Sequence, residues 1–247
     1  MKASYIMPIY IINEKGLELT RSALTTLRHS DQSAEMVLID NASSLGGGFL
    51  RSEADIYVLN KKNLGFCPAV NQGFKLATGE IFAVTNNDIR VSSNWKMVAE
   101  EILKDPKVGS VHFRMTEYNV PFQYGDKTWK TGKERWCTTS FFVIRREAMP
   151  EELWDENYTL GGYDDWDFWH RVRHINGWQT AYTTKACYQH QDSFTYLAMS
   201  QGERKERDKK NHEYFKKKWG NYPEEIWMEK YPEQMAIVPW RKGFDEL

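Results

Sequence analysis

The first half of the chain alternates short apolar runs with a helical pattern, and this alternation restricts the possible fold more than any other feature. Ala3–Ile12 and Glu35–Asp40 are apolar runs that predict buried strands, and Glu18–His29 between them has leucine and alanine at helical spacing. Asp55–Asn60 and Glu80–Thr85 predict two further strands. Strands that alternate with helices form parallel βαβ units. The sequence therefore predicts an α/β domain with a mostly parallel sheet.

The rest of the chain has a less regular pattern. We expect an irregular or hairpin insertion over Arg114–Arg135, which shows no clean period. The other expected elements are the flexible loop Gly46–Gly48, the helices Pro68–Ala77, Trp95–Leu103, Arg146–Leu153, Asp164–Ile175 and Ser200–Trp219, and the strands Val108–Phe113, Thr138–Arg145 and Gly177–Thr183. We expect one domain over 1–220, followed by a tail over 221–247.

The charge balance and the cysteine content narrow the class of protein. Lys and Arg number 33 and Asp and Glu 34, a formal net charge of -1, so the chain lacks the global basic field typical of nucleic-acid-binding domains. Cys67, Cys137 and Cys187 are odd in number and form no CxxC pair, which favours a reducing compartment. No apolar run reaches the roughly 18 residues of a membrane span. We therefore expect a cytoplasmic protein and leave contact with a membrane surface open.

Acidic side chains lie at two kinds of position that favour function. Asp40 and Asp88 follow predicted strands, and open α/β sheets bind ligands outside the carboxyl ends of their strands. The stretch GGYDDWDFWHRVR, over 161–173, begins a predicted helix with three aspartates, where unpaired N–H groups and the helix dipole favour negative charge. Together these centres predict a metal-bound phosphate near a general base.

Several motifs follow one another in order along most of the chain. They are Pro8 and Tyr10 in the first strand, IDNAS at Ile39–Ser43, NLGF at Asn63–Phe66, ATGE at Ala77–Glu80, TNNDIRV at Thr85–Val91, WDENYTLGGYDDWDFWHRVR at Trp154–Arg173 and FKKKWG at Phe215–Gly220. Together they resemble glycosyltransferase family 2. The resemblance implies a GT-A fold, a Rossmann-like mixed and mostly parallel sheet flanked by helices with a C-terminal helical extension. Residues 1–113 would bind the nucleotide sugar, and 114–220 the acceptor and the catalytic groups.

The same resemblance implies a donor site and a metal site. Residues expected near the donor nucleotide and its phosphates are Pro8, Tyr10, Asp40, Asn63, Gly65, Asn71, Asn86 and Asn87. Asp88 matches the last position of the Asp-x-Asp motif that binds a divalent metal, and His190 matches a late histidine ligand. Asn86 replaces the first carboxylate, which argues against a tightly held metal. We expect Mn²⁺ or Mg²⁺ to bind together with the donor, since Mg²⁺ uses few carboxylates and substrate phosphates.

The acidic stretch resembles the Glu-Asp-x-Asp pattern of the family. By this resemblance Asp165 is the catalytic base, Arg171 holds the carboxylates in place, and Asp164, Trp166 and Asp167 support the base or contact the acceptor. No nucleophile is obvious in the sequence. The resemblance implies transfer of a hexose from a UDP-, GDP- or dTDP-linked donor to an acceptor hydroxyl. If Asp165 lies on the side of the anomeric carbon opposite the leaving phosphate, a single displacement, which needs no protein nucleophile, inverts the configuration.

Two alternatives remain open at this point. A nucleotidyltransferase would share the nucleotide and metal sites, although the first strand is not followed by a glycine-rich basic loop. A non-catalytic sugar- or nucleic-acid-binding module would bind through its aromatic side chains and the basic stretch Arg204–Lys218. The sequence leaves open whether the acceptor is a saccharide, a lipid-linked sugar, a protein or a modified nucleic acid, and it leaves the oligomeric state open.

Overall fold

The computed structural model describes residues 1–130, 139–158, 162–191 and 200–222. The strands are β1 (Ala3–Ile9), β2 (Glu35–Asp40), β3 (Ile56–Leu59), β4 (Ile81–Thr85), β5 (Ile89–Val91), β6 (Val108–Thr116), β7 (Thr128–Lys130), β8 (Phe141–Arg145) and β9 (Gln179–His190). The α-helices are α1 (Glu14–Ser30), α2 (Gly47–Glu53), α3 (Phe66–Leu76), α4 (Trp95–Ile102), α5 (Asp164–His170) and α6 (Gln201–Trp219). A 3-10 turn spans Arg146–Ala148, and a π-helical segment, Arg171–Ile175, continues α5.

The strands within the described residues form one mixed sheet in the order β3-β2-β1-β4-β8-β6-β9-β5, with β7 also paired to β9. The four N-terminal strands β1 to β4 pair in parallel with one another, and β6 pairs in parallel with β9. Strand β8 joins these two groups by antiparallel pairing with β4 and β6. The predicted fold class, an α/β domain with a mixed sheet flanked by helices and a helical extension, is confirmed.

Two hydrophobic layers cover the sheet because successive side chains of a strand point to opposite faces. On β1, Tyr5 packs with Leu24 and Trp95 from α1 and α4, whereas Ile6 packs on the other face with α3. A Cβ atom at Gly73 of α3 would lie 2.3 Å from Ile6 Cγ2, so the close approach of this helix to β1 requires glycine. The packing fixes the carboxyl ends of β1, β2 and β4 at one edge.

Several expected elements differ from the structure. Gly46–Gly48 is not a loop, because Gly46 takes φ +83° as the cap and α2 begins at Gly47. Buried Leu50 holds that helix against the core. The expected helix Arg146–Leu153 is only a 3-10 turn, and proline at 150 restricts its continuation. The expected strand Ala3–Ile12 ends at Ile9, and Pro8 fits within it because the pairing of β1 with β4 ends at Ile6, so that the missing N–H of proline costs no bond there.

Two strands near the expected metal site were incompletely predicted. Strand β9 runs seven residues beyond the expected end at Thr183, to His190, and passes through a bulge against β6 on the way. Strand β5 was not predicted, because three residues are too short to give a period. The domain boundaries remain a prediction, and Cys137 and 223–247 lie outside the described residues. No helix in the described ranges is long and apolar enough to cross a membrane.

Candidate functional site

Asp40 lies at the carboxyl end of β2 and is almost fully buried. Its Oδ1 atom accepts a hydrogen bond of 2.8 Å from the Ser43 backbone N–H, and its Oδ2 atom accepts one of 2.6 Å from the Tyr57 hydroxyl. Burial and the neighbouring Asp40 carboxylate raise the pKa of Tyr57 to about 12, so that Tyr57 stays a donor. Two local bonds therefore fix the Asp40 carboxylate at the edge where a nucleotide is expected.

Pro8 and Tyr10 lie beside this carboxylate. Pro8 is in register with Ile39, and the following residue, Ile9, is in register with Asp40. Both Pro8 and Tyr10 are half-buried, so each retains exposed surface. In the structure, Pro8 and Tyr10, both expected near the donor nucleotide, therefore lie at the same edge of the sheet as Asp40.

An amide network that the sequence reasoning missed joins the ends of β2 and β3 to α3. Asn41 Nδ2 donates to the Gly65 carbonyl at 3.1 Å, and Asn60 Nδ2 lies 2.9 Å from Asn41 Oδ1 and from Gln72 Oε1. Asn63 Oδ1 accepts from the Gly65 N–H at 2.9 Å, and Gly65 takes φ +89°, which favours glycine. The network fixes the loop that begins α3, and the asparagine after Asp40 in IDNAS was its sequence signal.

Asn71 is placed differently from the expectation. Its Nδ2 atom donates to the Trp154 carbonyl at 2.8 Å and to Glu156 Oε1 at 2.9 Å, and its Oδ1 atom accepts from the Trp154 N–H at 2.9 Å. Both amide protons are therefore engaged within the protein. In this structure Asn71 links α3 to the segment before α5 and has no remaining donor for a phosphate.

Asp88 and His190 approach each other where β4, β5, β8 and β9 meet. The distance from His190 Nε2 to Asp88 Oδ1 is 3.1 Å, and both side chains are little exposed, at 11% and 14%. Asp88 Oδ1 makes no well-aligned hydrogen bond with any described residue. On its other side, His190 Nδ1 lies 3.3 Å from Ser140 Oγ, a contact that orients the ring. Asn86 Nδ2 lies 3.4 Å from His190 Nε2.

These atoms suit a divalent cation that takes some of its ligands from the protein and the others from a substrate. A buried carboxylate oxygen without a hydrogen bond suits Mn²⁺, an imidazole nitrogen is a common metal ligand, and the Asn86 amide group lies nearby. The described residues contain no group of three or more His, Cys, Asp and Glu able to hold a metal alone. The donor set thus fits an ion held together with phosphates. Asn87, by contrast, donates to Thr20 Oγ1 of α1 at 2.9 Å.

Asp164 and Asp165 begin α5 after a strained turn in which Gly162 and Tyr163 take φ +90° and +65°. Asp164 is buried and accepts from the Cys67 thiol, 3.4 Å away on α3. Burial raises the pKa of Asp164. Burial, followed by the charge of Asp164, raises the pKa of Asp165 to about 7. Asp165 is half-buried and is thus a carboxyl group that can exchange a proton near neutral pH.

Asp167 points away from Asp165 into a buried network. Its Oδ2 atom lies 2.9 Å from Arg171 Nε and 2.8 Å from Arg171 Nη2. Its Oδ1 atom accepts from Trp219 Nε1 at 2.6 Å and lies 3.0 Å from Lys218 Nζ. The Asp167 side chain is fully buried, so these partners compensate its charge. Asp167 therefore ties α5 to α6 in the structure, and Arg171 compensates the other oxygen of its carboxylate.

A second carboxylate extends this network along α6. Lys218 Nζ also lies 2.7 Å from Asp155 Oδ2, which accepts a further bond from the Tyr214 hydroxyl at 2.9 Å. Burial alone would raise the pKa of Asp155, but hydrogen bonds from Lys218, Asn157 and Tyr214 outweigh it and lower the pKa to about 2. The last turns of the basic stretch Arg204–Lys218 thus support the acidic motif.

The structure places the two acidic centres at the same edge of the sheet. The start of α3, with Cys67, touches Asp164 and is bonded through Gly65 to the end of β2. Ser140, which contacts His190, directly precedes β8. Helix α5 packs on that strand through the rings of Phe142 and Phe168. A ligand at this edge can therefore contact elements of both centres. Trp166, between Asp165 and Asp167, is half-buried.

Comparison with protein families and with curated proteins gives one match. The family model described as "Glycosyl transferase family 2" matches residues 4–153. This is more than half of the chain, although it ends before the acidic motif at α5. No curated protein sequence matches significantly.

Solved structures share the fold at low identity. TarS 1-349 of S. aureus matches at 17% identity with a TM-score of 0.63, over 77% of this chain and 60% of that chain. The mannosyltransferase PcManGT of Pyrobaculum calidifontis, in complex with GDP-Man and Mn²⁺, matches at 20% and 0.62, over 79% and 58%. GalNAc-T7 with UDP, GalNAc and Mn²⁺ matches at 13% and 0.66, over 96% and 52%. The chain thus spans 60% or less of each of these structures, and the likeness shows the GT-A fold.

Proposed function

The chain belongs to glycosyltransferase family 2, and from this premise we propose that it transfers a hexose from a nucleoside-diphosphate sugar to an acceptor hydroxyl with inversion of configuration. The observation that carries the proposal is the unbonded, buried Asp88 carboxylate oxygen beside His190, at the sheet edge that also presents Asp40 and Asp165. The neighbours PcManGT and GalNAc-T7 were solved with a guanosine or uridine nucleotide and Mn²⁺, which supports the same ligand class here.

In the proposed mechanism each side chain has one role. Asp40 and the half-buried faces of Pro8 and Tyr10 hold the nucleoside, while Asp88, His190 and Asn86 hold the metal. A divalent cation bound there would neutralise charge on the departing diphosphate. Asp165 takes the proton of the acceptor hydroxyl. At the same time the hydroxyl oxygen bonds to the anomeric carbon, and the bond from that carbon to the diphosphate oxygen breaks. This single displacement forms no bond between the sugar and the protein.

The first experiment identifies the donor. Purified protein is incubated with UDP-, GDP- and dTDP-linked hexoses in the presence of Mn²⁺, and both the melting temperature and the release of nucleoside diphosphate are measured. We expect one nucleotide series to raise the melting temperature and to release diphosphate slowly through hydrolysis. A nucleotidyltransferase or a non-catalytic binding module would release no diphosphate from any of these donors, and that outcome contradicts the proposal.

Removing the Asp88 carboxylate should uncouple donor binding from the metal. In Asp88→Asn, we expect the increase in donor affinity that Mn²⁺ gives the parent protein to fall about 10-fold or more, because a carboxylate ligand is lost. Titration of the nucleoside diphosphate with and without Mn²⁺ measures this effect. Asp126→Asn removes an exposed carboxylate and serves as the control. An unchanged metal dependence in Asp88→Asn would remove Asp88 from the metal site.

The pKa of Asp165 gives the proposal a pH dependence. The base accepts a proton only when it is ionised, and burial raises its pKa to about 7. We therefore expect kcat/KM at subsaturating acceptor to rise with pH and to level off above about pH 7. Because kcat/KM reports the pKa values of the free enzyme, the rate is measured with both substrates far below KM. A rate that falls across the same interval would contradict the assignment of Asp165 as a base.

A further inference from the structure

One pair of side chains beside the proposed metal site has no role in the mechanism above. Arg90 on β5 and Gln189 on β9 are directly opposite each other in antiparallel register. Residues paired in this way lie on the same face of the sheet, with Cβ atoms about 5 Å apart. Each lies close in sequence to a proposed metal ligand. Asp88 is two residues before Arg90, and His190 directly follows Gln189.

Both side chains carry a buried polar atom without a partner. Arg90 Nε and Gln189 Oε1 make no hydrogen bond with the described residues. Water does not compensate for this at Gln189, because this residue is only 1% exposed. Gln189 Nε2 donates to the Val120 carbonyl, and this bond identifies the other amide atom as the oxygen. The Arg90 side chain has no carboxylate partner among the described residues. Nearly all buried polar groups in proteins are paired, so this juxtaposition of an unpaired donor and an unpaired acceptor calls for a ligand.

The chemistry of the two atoms selects the class of ligand. Arg90 Nε–H requires an acceptor, whereas Gln189 Oε1 requires a donor. A phosphate or carboxylate oxygen would satisfy the arginine but would present only lone pairs to the glutamine oxygen. A hydroxyl group satisfies both, because it accepts and donates at the same time. We propose that Arg90 and Gln189 bind a sugar hydroxyl.

The position of the pair is consistent with this proposal, which rests on the proposed function. Asp88 immediately precedes β5 and Arg90 is the second residue of that strand, so their Cα atoms lie within about 7 Å of each other. A sugar attached to a diphosphate near Asp88 would reach Arg90 around the end of β5, because Arg90 and Gln189 are on the face opposite that of His190. The acceptor saccharide must approach the same anomeric carbon. The hydroxyl can therefore come from the donor hexose or from the acceptor, and the experiment below separates these two sources.

The test uses Arg90→Lys, which keeps the charge but removes the Nε donor, and Gln189→Met, which removes the oxygen. Arg173→Lys and Gln179→Met are the matched controls, and the melting temperature of each variant reports folding. If the hydroxyl belongs to the donor, each variant binds the nucleotide hexose about 10-fold more weakly and the free nucleoside diphosphate equally well. If it belongs to the acceptor, donor affinity and donor hydrolysis are unchanged and the KM for the acceptor rises about 10-fold. In either case the double variant should lose little more than each single variant, because both atoms address one group.

A second arm of the test does not depend on catalysis. Saturation-transfer NMR of parent protein and variants with methyl hexosides should give a signal that both substitutions weaken, whereas inorganic phosphate and acetate should not compete. Competition by phosphate alone would replace the hydroxyl with an anion and overturn the proposal. Unchanged donor affinity, acceptor KM and NMR signal would leave only water between the two side chains, and the proposal would be wrong. If the parent protein binds no nucleotide sugar, the proposed function fails, and the NMR arm still decides on the hydroxyl site.

Discussion

Replacing Asp165 with asparagine is expected to reduce sugar transfer by about 10²–10⁴-fold, the contribution of a general base, while donor binding changes by less than about twofold. Asparagine has nearly the same shape but cannot take up the acceptor proton. The carboxylate is needed only when the hydroxyl reacts, so the reduction in transfer should appear in kcat. The measurement is transfer at saturating donor together with calorimetric titration of the nucleoside diphosphate.

The same variant should gain stability, because the Asp165 pKa is raised in the folded state. A carboxyl with a raised pKa stabilises the fold fully below its unfolded pKa, and that contribution is lost as pH rises through about 7. At pH 8 the ionised carboxylate is half-buried beside Asp164, so we expect Asp165→Asn to be about 1–2 kcal/mol more stable after allowance for solvent screening. Asp126→Asn, at an exposed position, should show neither effect. Full transfer activity in Asp165→Asn would refute the base assignment.

The N-terminal strands could be predicted because the apolar runs that form them are continuous and bounded by turns. Glu35–Asp40 matches β2 without an error at either end. Prediction was weaker where pairing between distant segments defines the element. Strand β5 exists because Ile89 and Val91 pair with the end of β9, a contact over about a hundred residues that no local period reports.

The candidate site shows the same division. Residue type and motif order could place Asp40, Asp88 and the aspartates of α5, because the first two follow predicted strands and the others begin a predicted helix. The roles of neighbouring acids could not be separated in this way. Asp164 faces Cys67, whereas Asp167 faces Trp219, more than fifty residues later. Only the packing of α6 against α5 shows that Asp167 is held in a buried ion pair. The partners of Asn71 could not be predicted for the same reason, since they lie at Trp154 and Glu156.

That buried ion pair leads to the largest expected loss of stability. Arg171→Met should destabilise the fold by about 3–5 kcal/mol, because it removes one partner and leaves a buried carboxylate with incomplete compensation. Arg171 and Asp167 have exposed side-chain fractions of 6% and 0%. Arg171 Nη1 also donates to the Glu152 carbonyl, which would lose its donor. A shift of this size should lower the melting temperature by about 6–20 °C for a chain of this length.

The remaining partners of Asp167 are the reason for expecting a folded variant. Trp219 Nε1 and Lys218 Nζ stay within bonding distance of the other Asp167 oxygen. The negative charge of Asp167 is therefore still partly compensated in the variant. Arg173→Met removes an arginine from the same segment. Among the described residues its Nε bonds to the Trp169 carbonyl, at 3.3 Å, and we expect the loss to cost less than about 1 kcal/mol. Adding Asp167→Asn to Arg171→Met should recover part of the loss, since the uncompensated charge is then absent. Equal melting temperatures for Arg171→Met and Arg173→Met would mean that the ion pair does not stabilise the acidic motif, and the support that α6 gives to Asp165 would then have to come from apolar packing.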